Sequence, residues 1–305
     1  MACVPHTFEV ELDGPLDVAA SVERFRRWGD DWLDRWDGTT LVRTAHSGGR
    51  AVPYICEIMG SIATPRLLVG VRDRADEPVA WPALRQMFVR AAPGAWARLL
   101  AADPVIARLD TAFPGVLPIA QTDGITAIVR SISAQQVNLA WAATTRRRLA
   151  ELTGERHDIG PYEVYSLSAA RLARVSVDQL RALQFTTRKA EYIIDIARRI
   201  AEGDLDLSAL AHAPDAEVLA RLTAVRGIGR WTAEWYLART LGRPVVVSGD
   251  LGVRKAVGAL YCPGVMPTEQ QVRELTAHWG AAACVAQEVA LYALNQRGQM
   301  QSPIG

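Results

Sequence analysis

At 305 residues and 50% hydrophobic content, the chain can bury substantial cores and should form two or three domains. Its net charge of only +1 excludes a protein that is basic over its whole surface. It shows no signal peptide, no long apolar run and no low-complexity tail, so we expect a soluble, intracellular protein.

Strand signals dominate residues 1–95. Phe8, Val10 and Leu12 alternate with polar residues, and the segments TLVRTA, AVPYICEI and PRLLVGV are rich in β-forming residues and separated by turn signals. Residues 16–36 and 82–89 look helical. The pattern predicts a small antiparallel sheet backed by helices.

The first of these helical stretches carries tryptophans at i, i+4 and i+8, namely Trp28, Trp32 and Trp36. On one helix this spacing forms a single stripe, which we interpret as the core contact between helix and sheet. A platform for base stacking is the alternative.

From Gly94 onward nearly every element looks helical. Two pairs have the spacing of a capping box, and two glycines follow helical stretches where a C-terminal stop belongs. These residues are Ser176 with Gln179, Thr268 with Gln271, Gly154 and Gly203. The sequence thus predicts an α+β chain with a mixed N-terminal domain over 1–95 and a helical region over 96–305.

The most informative segment is a tight turn between two predicted helices. Apolar residues recur at helical spacing from Val218 to Val225 and again from Trp231 to Leu241. Between them, Gly227 and Gly229 permit backbone conformations and close approaches that other residues resist. A helix that begins near Arg230 would present free N–H groups to an anion such as phosphate. A plain structural turn is the alternative.

Local charge favours the anion-binding interpretation. Residues 221–260 hold seven basic and two acidic side chains, a net charge of +5, whereas residues 1–90 carry −2. Contacts to phosphate supply most of the nonspecific affinity for DNA and need such a patch. An ordinary solvated helix face remains the alternative.

The turn and the segment after it resemble a known family. GIGRWTA, followed 21 residues after Gly229 by Asp250 in VVVSGDLGVRKAV, is similar to the helix-hairpin-helix, Gly/Pro-rich-loop, aspartate signature (HhH-GPD) of a DNA glycosylase superfamily. The chain is most similar to its bacterial 3-methyladenine DNA glycosylase II branch. FPGVLPIAQTDGITAIVRSISAQQVNLAWAATTRRRLAELTG and QFTTRKAEYIIDIARRI also match that branch. The resemblance implies a TBP-like N-terminal sheet domain and a core of two helical subdomains with the active-site cleft between them.

Asp250 is the candidate catalytic residue. Cleavage of an N-glycosidic bond builds positive charge on the sugar, so a nearby anion is the main contribution that a protein can make. No other carboxylate lies within residues 245–265. An alkylated purine already carries positive charge and leaves as a neutral base, so a single aspartate suffices. The alternative, which is compatible with catalysis, is an N-cap for the helix over 251–260.

The position just after the turn indicates the subclass. In relatives with lyase activity, a lysine stands there and forms a Schiff base with the sugar. This chain has Trp231 instead, so the resemblance implies a monofunctional enzyme. We interpret Lys255 as a phosphate contact.

A base-flipping enzyme needs a plug for the gap and a pocket for the base. The resemblance puts Gln136 at the plug, where the branch often has leucine, beside Gln135; a polar break between two helices is the alternative. Trp231 and Trp235 are the pocket candidates, because indoles attract cationic bases, although their i, i+4 spacing also suits a core. Leu291 stands where the branch often has an aromatic residue.

The resemblance also implies a set of backbone and side-chain contacts. The DNA-binding candidates are Gln136, Gly227, Ile228, Gly229, Arg230, Arg254 and Lys255. A monovalent cation would be held by main-chain carbonyls, those of Thr223, Val225 and Gly227. The cysteines Cys3, Cys56, Cys262 and Cys284 are scattered and fit neither iron–sulfur nor zinc spacing, so we expect no cofactor beyond that cation.

Together these features predict a monofunctional glycosylase that removes alkylated purines from double-stranded DNA. We expect a cytoplasmic, nucleoid-associated monomer. Two alternatives stay open: a glycosylase for oxidised or deaminated bases, and a noncatalytic DNA-binding module that uses the same hairpin.

Overall fold

The computed structural model describes residues 4–301 and confirms the α+β fold, with a small antiparallel sheet followed by a mostly helical region. The sheet has five strands in the order β1-β5-β4-β3-β2. The strands are β1 His6–Glu11, β2 Arg35–Trp36, β3 Thr40–Ser47, β4 Arg50–Gly60 and β5 Pro65–Val71. The four strand predictions for this region are therefore confirmed.

The hairpin between β3 and β4 sets the register of the sheet. Gly48 and Gly49 both have positive φ, +57° and +79°, which matches the twist of a two-residue turn. Ser47 consequently pairs with Arg50, and Leu41 pairs with Cys56. Alternate residues of the strands face a buried core, as the sequence alternation predicts.

Three short helices accompany the sheet: α1 Val18–Val22, α2 Arg24–Arg27 and α3 Glu77–Arg85. The single helix predicted over 16–36 is wrong. The side chains of Asp30 and Asp31 accept the backbone N–H groups of Trp32 and Leu33 at 2.9 and 3.2 Å, and these local bonds compete with helix formation. The chain then turns at Trp32, which has φ +63°, and enters β2.

The predicted tryptophan stripe is therefore also wrong. Trp28 ends α2, Trp36 belongs to β2 and the core, and Trp32 stacks on Tyr165 with ring centroids 5.6 Å apart. The helix predicted over 82–89 begins earlier and ends at Arg85, because the following residues form a bridge between Phe88 and Ile119.

The region after residue 94 is helical apart from one β-hairpin, which the sequence analysis missed. The hairpin consists of β6 Glu155–Ile159 and β7 Tyr162–Ser166, joined through Gly160 at φ +54°. The helices are α4 Ala95–Ala102, α5 Pro104–Ala112, α6 Gly124–Ala134, α7 Leu139–Thr153, α8 Ala169–Leu172, α9 Val177–Ala182, α10 Thr187–Glu202, α11 Leu207–His212, α12 Asp215–Thr223, α13 Arg230–Arg239, α14 Leu251–Tyr261, α15 Glu269–Thr276 and α16 Ala283–Gln301.

The predicted helix ends are present. Both capping boxes form, at the starts of α9 and α15, and Gly154 and Gly203 occupy the C-caps of α7 and α10. Within residues 4–301, no helix is both long and apolar enough to span a bilayer.

Two large cores divide the molecule. The first joins the sheet to α4, α5 and the C-terminal helices α14 and α16. The second is built from helices α6 to α13. The fully buried residues of the first core stop at Ile119 and resume at Val253, so the buried residues of helices α13 and α14, which are neighbours in sequence, lie mainly in different cores.

The cysteines differ in accessibility. Cys3 lies outside the described residues; Cys56 and Cys284 are buried, and Cys262 is half-buried. Burial raises the pKa of both buried thiols, that of Cys284 to about 11. Thiolate is the reactive form, so buried thiols with raised pKa values react slowly.

We therefore expect iodoacetamide at pH 8 to alkylate Cys262 in the folded protein while Cys56 and Cys284 stay unmodified. Peptide mass spectrometry after a timed pulse would measure this, with a urea-unfolded sample as the control in which all three react. Equal labelling of the three thiols in the folded protein would contradict the packing described here.

Candidate active site

The hairpin between α12 and α13 depends on two glycines with different roles. Gly227 has φ +93°, and a Cβ there would lie 2.3 Å from Cγ of Tyr192, so only glycine fits. Gly229 is the N-cap of α13, and a Cβ on it would meet nothing within 4 Å. The first glycine lets the hairpin pack on α10, and the second leaves the start of α13 open.

Ile228 anchors the turn between these glycines. Its side chain is buried in the second core, and its N–H donates to the Val225 carbonyl at 3.1 Å. Among the described residues, no side chain caps the N-terminus of α13. The amides of its first turn therefore face outward without an intrahelical partner, which is the arrangement that binds an anion.

Three basic residues are DNA-binding candidates: Arg230 begins α13, and Arg254 and Lys255 follow Asp250 in α14. Arg230 is largely exposed, and its guanidinium donates to Glu234 at 2.8 Å. Arg254 donates to the Pro267 carbonyl at 2.8 Å, and Lys255 is exposed. Arg230 and Lys255 can reach solvent, whereas Arg254 also holds the loop between α14 and α15.

Asp250 is the N-cap of α14 and is also held by the two candidate pocket indoles. One carboxylate oxygen, Oδ1, accepts the Val253 amide at 2.9 Å. The other, Oδ2, accepts the indole N–H of Trp231 at 2.9 Å and that of Trp235 at 3.3 Å. The predicted N-cap is therefore confirmed, and the same carboxylate contacts both indoles. These hydrogen bonds come from neutral donors, so they orient the carboxylate without neutralising its charge.

The neighbours of the carboxylate leave it accessible. Asp250 is half-buried and the adjacent Leu251 is 56% exposed. A Cβ on Gly252 would lie 3.0 Å from Asp250 Oδ1 and 3.3 Å from Leu291 Cδ2. Leu291 therefore borders the same space.

Trp231 and Trp235 pack on a small third cluster of buried residues. It consists of Val89, Ala120, Ala238, Val247 and Cys284. The Arg239 guanidinium lies 5.0 Å from the centroid of the Trp235 ring. Both indoles are half-buried and hydrogen-bonded to the carboxylate, so the guanidinium near its ring is what distinguishes Trp235 from Trp231.

Gln136 lies in the short loop between α6 and α7. It is exposed and has φ +55°, a conformation that few residues other than glycine adopt. The neighbouring Gln135 donates from Nε2 to the Gly227 carbonyl at 3.3 Å. This contact brings the loop and the hairpin together, although they are far apart in the sequence.

Two of the three carbonyls predicted to hold a cation already accept a hydrogen bond. The Val225 carbonyl accepts the Ile228 amide, and the Gly227 carbonyl accepts Gln135. Each oxygen keeps a second lone pair. With Thr223 at the end of α12, the three carbonyls belong to one turn, so the residues are compatible with a monovalent cation.

A buried carboxylate that was not among the predicted site residues, Glu234, lies on the same helix as the two indoles. Glu234 is almost fully buried and accepts Arg230 and also Arg273, the latter at 3.1 and 3.2 Å. Arg273 also pairs with Glu269, whose Oε2 would lie 3.3 Å from a Cβ on Gly249. The i, i+4 spacing of Arg230 and Glu234 was readable, but the contribution from α15 was not.

Replacement by alanine should affect the two hairpin glycines to different extents. Gly227→Ala should destabilise the fold by about 3 kcal/mol, about 1 kcal/mol for the positive φ and about 2 kcal/mol for displacing the Tyr192 ring. Gly229→Ala should cost less than about 1 kcal/mol, since only the quality of the N-cap changes. Urea unfolding of both variants measures the difference, and similar losses in both would contradict the geometry.

Comparison with known proteins identifies the family of the chain. The family model described as HhH-GPD superfamily base excision DNA repair protein matches residues 129–281. The chain is 34% identical over 154 residues to the putative DNA-3-methyladenine glycosylase YfjP of Bacillus subtilis, covering 50% of this chain and 52% of that protein. It is 30% identical over 175 residues to DNA-3-methyladenine glycosylase 2 of Escherichia coli, covering 57% and 59%.

The likeness in fold extends further than the likeness in sequence. The structure matches the 3-methyladenine DNA-glycosylase from Archaeoglobus fulgidus with a TM-score of 0.81 and 23% identity, over 97% of this chain and 100% of that one. In sequence, the chain spans about half the length of the curated relatives it matches. The match to the family model covers half of the chain, and the chain belongs to the HhH-GPD superfamily of base excision DNA repair proteins.

Proposed function

We propose that the chain is a monofunctional DNA glycosylase that removes alkylated purines from double-stranded DNA and acts as a monomer. One observation carries the proposal: the carboxylate of Asp250 sits on two indole N–H groups of the helix that starts at the hairpin. The names of the aligned relatives, DNA-3-methyladenine glycosylases from two bacteria, support this substrate class.

The protein would bind DNA through contacts to the phosphates of the DNA backbone. The outward amides at the start of α13 bind a phosphate, and Arg230 and Lys255 add charge around it. Gly229 allows the close approach, since a side chain there would stand between phosphate and amides. A monovalent cation on the carbonyls of Thr223, Val225 and Gly227 would add positive charge on the same turn.

Gln136 would fill the gap left by the extruded nucleotide. Its exposed position at the tip of the α6–α7 loop supports this role. The hydrogen bond between Gln135 and Gly227 keeps that tip beside the hairpin that precedes α13. An amide side chain can occupy the space and also hydrogen-bond the unpaired partner base.

The chemical step would rest on Asp250. As the N-glycosidic bond breaks, positive charge develops on the sugar, and the carboxylate stabilises it or activates the attacking water. A cationic purine leaves as a neutral base, so no general acid is required. Trp231 occupies the position where a Schiff-base lysine would be needed, so the sugar–phosphate backbone stays intact.

Asp250→Asn tests the mechanism. Asparagine caps a helix about as well as aspartate, so folding should persist while excision falls by at least about 100-fold, because the stabilising charge is gone. Asp206→Asn is the matched control, since the Asp206 side chain also caps a helix, α11, by accepting backbone N–H groups, but lies outside the site. Single-turnover release of base from alkylated duplexes is the measurement.

The same assay separates the alternatives. Duplexes that carry 3-methyladenine, 7-methylguanine, ethenoadenine, hypoxanthine or 8-oxoguanine are compared, and the products are resolved with and without alkali. Release of alkylpurines with alkali-dependent strand breaks supports the proposal. Release of only deaminated or oxidised bases, or no release by wild type, would reject it, as would near-normal excision by Asp250→Asn.

Trp231→Phe isolates the indole hydrogen bond. Loss of one donor to a charged acceptor costs roughly 1.5 kcal/mol, so the single-turnover rate should fall about tenfold while affinity for abasic DNA is unchanged. Trp81→Phe, an exposed indole on α3, is the control. An unchanged rate in Trp231→Phe would show that this donor does not matter for catalysis.

A further inference from the structure

A buried network of charged side chains joins the segment before β2 to helices α6 and α7. Asp31, almost fully buried, accepts Arg130 at 2.9 and 3.1 Å and Arg146 at 2.8 Å. Asp34 pairs with Arg130 and, at 2.5 Å, with Arg43 of β3. None of these side chains belongs to the proposed phosphate-binding turn at the start of α13 or contacts the carboxylate of Asp250.

The charges in the network are held in their ionised forms. Burial alone would raise the pKa of Asp31, yet Arg130 and Arg146 keep that pKa well below its usual range. A buried carboxylate with two guanidinium partners is costly to neutralise or to expose, so the contacts persist as one unit.

The network ends at the loop that carries Gln136. Arg146 donates from Nη1 to Ser133 Oγ at 2.9 Å, and Lys189 of α10 donates to the Ser133 carbonyl at 2.8 Å. Ser133 lies in the last turn of α6, three residues before Gln136. Arg130 lies one turn earlier on the same helix, so Asp31 holds the end of α6 both directly and through α7.

When a side chain inserts into a DNA duplex, the duplex resists, so the loop that carries the side chain must be held firmly in place. Extrusion of a paired nucleotide costs free energy, and less when the nucleotide is poorly paired. Gln136 is exposed, and among the described contacts its side chain makes no hydrogen bond that would hold it in place. The rigidity of the α6–α7 loop at Gln136 must therefore come from the residues that hold the end of α6.

We propose that Asp31 is a positioning residue for extrusion: through Arg130 and Arg146 it clamps the end of α6 so that Gln136 keeps its place against the duplex. The N-terminal region thereby takes part in recognising damage without touching the damaged base. This inference rests on the proposed glycosylase function.

The test compares two duplexes with the alkylated purine that wild type releases fastest. In one the lesion faces its normal partner base, and in the other it faces an abasic site, so extrusion is easier. For Asp31→Asn, single-turnover excision should fall about tenfold or more on the paired duplex and less than about threefold on the other. A merely structural defect would lower both equally.

Four further variants sharpen the result. Asp30→Asn is the matched control, because exposed Asp30 pairs with Arg35 at 2.8 Å and does not contact α6; it should behave as wild type. Gln136→Ala should show the same selective loss, and the double variant Asp31→Asn/Gln136→Ala should lose little more than Gln136→Ala alone. If Asp31→Asn fails to fold, Ser133→Ala tests the proposal in its place. This variant removes the hydrogen bond from Arg146 to Ser133 and leaves the ion pairs of Asp31 intact.

The outcomes separate the two proposals. No excision by wild type would reject the glycosylase function and the inference with it. Excision by wild type with equal losses on both duplexes, no loss in folded Asp31→Asn or Ser133→Ala, or fully additive losses in the double variant would overturn the positioning role alone.

Discussion

The carboxylate of Asp250 joins the parts of the candidate site. One oxygen caps α14 through Val253, and the other holds the indole N–H groups of Trp231 and Trp235 on α13. Because α13 begins at the hairpin N-cap Gly229, a single rigid helix sets the spacing between the outward amides and the carboxylate. The start of α13 and the carboxylate of Asp250 are therefore held in one arrangement, as the chemistry that we propose requires.

This junction lies at the seam between the two large cores. Helix α14 contributes Val253 and Val257 to the first core, whereas α13 contributes Tyr236 and Leu237 to the second. A polar group inside either core would need full burial, but at the seam Asp250 is half-buried between well-packed walls. Because the chain passes from the second core in α13 to the first core in α14, Asp250 lies between the two cores. At that position its charge is oriented by hydrogen bonds and remains accessible.

Local signals predicted much of the fold and the hairpin, and their failures have physical causes. Gly227 was identifiable because one residue type suits its backbone, and the strands because alternation is local. The helix over 16–36 failed because side-chain bonds from Asp30 and Asp31 outcompete a helical pattern. The Asp31–Arg130 pair spans 99 residues, so no local pattern reveals it. The hydrogen bonds of Asp250 to the indoles are similarly tertiary, although the residues themselves were predicted.

The charges beneath Trp235 decide what a bound base would meet. Arg239 lies 5.0 Å from the centroid of that ring and pairs with Glu288. Burial alone would raise the pKa of Glu288, yet Arg239 keeps it below its ordinary value, so Glu288 stays ionised and offsets the guanidinium. Without that partner, a cation behind the indole would repel a positively charged purine. The carboxylate of Asp250, which accepts the indole N–H of Trp235 at 3.3 Å, adds a negative charge beside the ring and would favour ligands that carry or develop positive charge.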